Sequence, residues 1–133
     1  MRLTELRPML ACRDLDATKA FYEDKLGFKC VGEFEHGGKA VWREFVRDEV
    51  AIMCNMPPAS AFEEGNPGDK RFQVYYINSD DVVALHADLT RRGAPVTDLR
   101  VTVYGMKEFE ARDPDGHWLW FGQPTDEAPT VRE

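Results

Sequence analysis

Apolar positions along this chain switch between a two-residue and a helical period, and the switches mark its elements. Residues 5–12, "ELRPMLAC", alternate and stop at the charged Arg13-Asp14, which predicts a first strand. Asp14 then offers an N-cap, Leu15, Thr18, Phe21, Tyr22 and Leu26 keep helical spacing, and Gly27 supplies the stop. Three β-like segments follow: "FKCVGEFE", "KAVWREFV" beyond the turn at His36-Gly37-Gly38, and "EVAIMC" beyond Arg47-Asp48. The first half reads βαβββ.

Residues 55–70, "NMPPASAFEEGNPGDK", hold no period and are rich in Pro, Gly, Ala and acidic residues, which predicts a long connecting loop. The pattern then starts again. "RFQVYYIN" reads as a strand, and "SDDVVALHADLTRRG" as a helix capped by Ser79 or Asp80, with a stripe Val82-Leu85-His86-Leu89 and a stop at Gly93. Short β material around Val96, a strand "MKEFEARD", the turn Asp113-Pro114-Asp115-Gly116 and a strand "HWLWFG" complete a second βαβββ. "REFVRD" before the last strand of the first half is echoed by "KEFEARD" in the second, so a duplicated module is the simplest reading. One helix covers one face of each sheet, and the opposite face must find a ligand, another module or another chain.

Length and composition narrow the choice. With 133 residues the chain suits a single domain over 1–123, with modules at about 5–54 and 71–122 and a polar, mobile tail over 124–133. A net charge of −7 gives no basic footprint, which argues against nucleic acid and anionic membranes as partners and for a small neutral or cationic ligand. Cys12, Cys30 and Cys54 are odd in number and lack C-x-x-C spacing, so they read as small core residues of a reducing, cytoplasmic compartment. No leader or membrane-spanning run is evident.

"RDLDATKAFYEDKLGF" in the first helix and "RDPDGHWLWFG" at the last hairpin resemble the glyoxalase, bleomycin-resistance and extradiol-dioxygenase superfamily, also called vicinal oxygen chelate proteins. The resemblance spans roughly residues 5–123, and "RPMLACRDLDATKAFYE" with Trp42 is most similar to the bleomycin-resistance type. It implies an α+β fold of two tandem βαβββ modules forming a curved mixed sheet with a concave cleft, and a homodimer. It also implies where metal-dependent relatives hold their divalent ion. Those positions fall here at Arg7, at Met53, at Val74 (or Phe72 if the register slips by two) and at Trp120. Guanidinium, thioether, aliphatic and indole groups are poor ligands for such ions, so no metal and no cofactor are expected. The three histidines do not mend this: His36 lies in a turn, His86 on an apolar helical stripe, and His117 alternates away from Trp118.

Strand alternation from those positions assigns the cleft face to Arg7, Met9 and Ala11, to Ala51 and Met53, to Phe72, Val74 and Tyr76, to Glu108 and Glu110, and to Trp118 and Trp120. Phe109, Ala111, Leu119 and Phe121 then face a helix. Trp42 and Tyr104 are wall residues whose facing the pattern leaves open. Arg7 and Glu110 read either as ligand contacts or as a pair with each other, and the tryptophans either as stacking surface or as core and interface filler. The function this supports is a metal-free binding protein that sequesters a planar or cationic ligand, a glycopeptide antibiotic among the candidates, with no catalytic residue. The alternatives are a metal-dependent lyase, isomerase or dioxygenase, in which Glu108 or Glu110 is a base with raised pKa, and a protein-interaction module.

Overall fold

The computed structural model describes residues 1–58, 62 and 73–130. It divides into two compact units, Met1–Gly65 and Asn66–Glu133. In the first, strand β1 (Met9–Ala11) runs parallel to β4 (Val50–Asn55), which is antiparallel to β3 (Lys39–Arg47), itself antiparallel to β2 (Lys29–His36). In the second, β5 (Tyr75–Asn78) runs parallel to β8 (Trp118–Pro124), which is antiparallel to β7 (Met106–Arg112), itself antiparallel to β6 (Arg100–Val101). The two sheets have the same order, first-fourth-third-second, so the echo between "REFVRD" and "KEFEARD" marks equivalent third strands. The fold is α+β, with two open four-stranded mixed sheets. No helix among the described residues is long and apolar enough to cross a membrane.

In the first unit, helix α1 (Leu15–Ala20) starts where Asp14 accepts hydrogen bonds from the Asp16 and Ala17 amides. It then widens into a π-helical turn over Phe21–Lys25, so that the Leu26 amide reaches back to the Phe21 carbonyl. Gly27, at φ +73°, turns the chain out of the helix. Leu10, Leu15, Tyr22, Leu26, Phe45, Ile52 and Cys54 form the core, with Tyr22 stacked on Phe45 at 5.2 Å. Strand β1 is shorter than the alternation predicted. Pro8 has no amide to donate, so only its carbonyl joins the ladder, accepting from Met53 at 2.9 Å.

In the second unit, helix α2 (Val82–Arg91) is capped by Asp81, whose carboxylate accepts from the Ala84 amide, and not by Ser79 or Asp80. The Ser79 hydroxyl instead accepts from the Asp81 amide, setting the cap in place. Val82, Leu89, Phe109, Ala111, Leu119 and Phe121 are buried together, as the alternation predicted. His86 is a packed, satisfied residue, 2.8 Å from the Thr97 carbonyl and edge-on to Phe109. In the turn before β8, Asp113 accepts from the amides of Asp115 and His117, and Gly116 stands at φ +91°.

The segment after β8 differs from expectation. Its described residues are tied down: the Thr125 amide donates to Gly105, Thr130 exchanges backbone and hydroxyl bonds with Val101, and Glu127 pairs with Lys107. The two-residue edge strand β6 leaves Val101 short of partners, and Thr130 supplies them. Cys12 and Cys54 are buried and Cys30 is half-buried.

Candidate functional site

Each sheet has one face packed by its helix and one that is not, and those expected site residues that lie in described strands alternate with the helix-packed set. In the first unit the register places Met9, Met53 and Glu44 side by side, with Trp42 between Asn55 and Phe34. Met9 and Phe34 are exposed. Trp42, whose facing the alternation left open, lies over Gly32, where a β-carbon would stand 3.0 Å from its ring. Arg7 pairs with Glu44 and Glu5. This face is apolar and thioether-rich, with one ion pair at its edge.

The second unit holds a denser arrangement. Tyr76, Trp120 and Glu110 are neighbours across β5, β8 and β7, and one step along, Gly122 sits beside Glu108 and Glu108 beside Arg100. Tyr76 leans across β8 and donates its hydroxyl to Glu108 Oε2 at 2.7 Å. Its path runs directly over Gly122, where a β-carbon would stand 1.9 Å from the hydroxyl oxygen. From the opposite side, the turn after β6 brings the Tyr104 hydroxyl to Glu108 Oε1. Arg100 donates Nε and Nη2 to the same Oε1, at 3.2 and 2.7 Å, and pairs through Nη1 with Glu110. Its guanidinium also stands 5.2 Å over the Trp120 ring, while Arg112 stands 5.0 Å over Trp118. Val74 precedes β5 and is half-buried, and Phe72 lies outside the described residues.

The alternative enzyme reading makes Glu108 or Glu110 a base with a raised pKa, and for Glu108 the geometry reverses the shift. Burial alone would raise it, but hydrogen bonds from Tyr104, Arg100 and Tyr76 outweigh the burial and hold its carboxyl below the usual value. Burial and then the bond to Glu108 push the phenols of Tyr76 and Tyr104 up. Burial opposes the Arg100 charge, and the two carboxylates hold it in place. The result is a carboxylate saturated with donors under two tyrosines, without spare basicity for proton abstraction.

Arg100, Gly122 and Glu44 were absent from the expected site, and Tyr104 was expected only as a wall residue of open facing. One signal for Arg100 was present: alternation puts two carboxylates on one face of β7, which calls for a neighbouring cation. Between Gly93 and Met106, Arg100 is the only basic residue.

A family model of the Glyoxalase/Bleomycin resistance protein/Dioxygenase superfamily matches residues 6–121. This chain belongs to that superfamily. Among curated proteins, the uncharacterized protein YwbC of Bacillus subtilis (strain 168) is 24% identical over 113 residues, covering 84% of this chain and 90% of YwbC. Among solved structures, UcmS2 superposes with a TM-score of 0.74 at 20% identity, covering 92% of this chain and 98% of its own. A bleomycin-binding protein complexed with bleomycin gives 0.71 at 22%, covering 91% and 98%. These likenesses carry the fold. At the positions where the resemblance implies a divalent ion, the sequence carries Arg7, Met53, Val74 or Phe72, and Trp120, whose side chains do not fit such an ion. Among the described residues, no three His, Cys, Asp or Glu side chains come together to hold one.

Proposed function

We propose that this superfamily member is a metal-independent, cytoplasmic small-molecule-binding protein of the bleomycin-resistance type, which captures a planar or cationic ligand against its open sheet faces and works as a homodimer. What carries this reading is the identity of the residues at the positions where the resemblance implies metal ligands: a cation, a thioether, an aliphatic or aromatic group, and an indole. The resemblance in fold to a bleomycin-binding protein supports it. Aromatic and thioether side chains offer stacking and adaptable apolar contact, which suit affinity without turnover. A metal-dependent enzyme is disfavoured by the same positions and by Glu108, whose oxygens are already taken.

The test is a titration of protein purified without chelator, using bleomycin and a panel of flat organic cations, read by tryptophan fluorescence. Saturable quenching that survives EDTA is the expected result. Stoichiometric bound metal by elemental analysis, with ligand binding lost on its removal, overturns the proposal.

A further inference from the structure

The cluster on β5–β8–β7–β6 contains a buried carboxylate whose role differs from that of the groups around it. Glu108 has no exposed surface, so a ligand cannot reach it. Both its oxygens are engaged, by Tyr76 on one and by Tyr104 and Arg100 on the other. The two tyrosines approach from opposite sides, one across β8 over Gly122 and the other from the turn after β6. Their tips are fixed, yet the residues stay 39% and 54% exposed. A ring anchored at its hydroxyl and open along its body loses little further freedom on stacking.

We propose that Tyr76 and Tyr104 are the ligand-stacking pair of this chain, and that Glu108 is the positioning residue that fixes both rings and selects a flat cation as their ligand. The inference rests on the small-molecule-binding reading above and names the ligand class for it. A phenol that donates its proton to a carboxylate pushes electron density into its ring, which strengthens the negative face that attracts cations and electron-poor rings. Trp120 is less suited to the task. Arg100 already stands over its ring, so the chain supplies its own cation there. Arg100 is in turn shared between Glu108 and Glu110, which keeps it from stacking with a ligand elsewhere.

The test compares two probes of one shape, cationic 9-aminoacridinium and neutral acridine, at pH 8 by isothermal titration calorimetry. The wild-type protein is expected to bind the cation about tenfold tighter than the neutral ring. Tyr76→Leu and Tyr104→Leu each lower affinity for the cation, by about tenfold, through loss of one wall. Glu108→Gln keeps the shape but leaves fewer acceptors, and is expected to narrow the cation preference to about threefold while acridine affinity stays within about twofold. Phenol absorbance in alkaline titration supplies the second readout: the Glu108→Gln tyrosines ionise at lower pH than in the parent. Should Glu108→Gln fail to fold, Tyr76→Phe and Tyr104→Phe, which keep the rings and remove the donors, carry the same test. Equal affinity for the two probes, or a preference that all these variants leave intact, overturns the inference and leaves the proposed function standing. Absence of binding by either probe or by bleomycin sinks both.

Discussion

The two units share a strand order and differ in how they furnish the face their helix leaves open. In the first, Met9, Met53, Trp42 and Phe34 make an apolar surface bordered by the Arg7–Glu44 pair. In the second, Tyr76, Tyr104 and Trp120 stand over a buried lattice of Glu108, Glu110 and Arg100. The first face has adaptable side chains with little to fix them. The second has rings held at their tips by charged hydrogen bonds, which fix orientation more strongly than apolar contact does. Topology therefore places the face, and the side chains decide whether it is pliable or rigid.

The sharpest way to break this contrast is to remove its anchor. Glu108→Ala leaves two phenols and the Nε and Nη2 donors of Arg100 without their acceptor over a buried gap, and should cost about 3–5 kcal/mol in urea denaturation followed by tryptophan fluorescence. The pH dependence follows from the same group. Its folded pKa is depressed, so its stabilising share is present above the unfolded value and is lost as pH falls through the folded one. Acid titration of Glu108→Gln should therefore lack part of the stability loss that the parent shows below about pH 4.

Next in size is Gly122→Ala. Its β-carbon displaces the Tyr76 hydroxyl, and a loss of about 2–3 kcal/mol is expected by thermal denaturation. Placing it in a Tyr76→Ala background should reduce its added cost to under about 1 kcal/mol. Gly32→Ala is the matching test in the first unit. There the clash is with the far end of the Trp42 ring, which can tilt away, so about 0.5–1 kcal/mol and a changed tryptophan emission are expected.

The smallest effect belongs to Arg7→Met, which removes solvent-screened ion pairs with Glu5 and Glu44 from an exposed rim and should leave the urea midpoint indistinguishable from that of the parent. Comparable losses for Arg7→Met and Glu108→Ala, in the same denaturation assay, contradict the distinction between the two faces.

Periodicity made the elements legible because each has one buried face. The cap at Asp14, the stops at Gly27 and Gly93 and the helix-facing set Phe109, Ala111, Leu119 and Phe121 all follow from local pattern. The cap of α2 was misplaced because Ser79, Asp80 and Asp81 are equivalent in propensity, and only the geometry of the turn chooses among them. The site was less legible. Alternation gives a face but neither the reach nor the lean of a side chain, so Arg100, which pairs with Glu110, did not appear among the expected residues. The tail looked free because its composition is polar, although polar side chains are what a short edge strand needs.

Gly122 ties two distant positions of the chain together. Residue 122 is glycine because of a hydroxyl that arrives from residue 76, one strand away and 46 positions earlier in the chain. The two positions are thus coupled by volume: a side chain at 122 and the tyrosine at 76, held as it is, claim the same space, and removing the tyrosine vacates it.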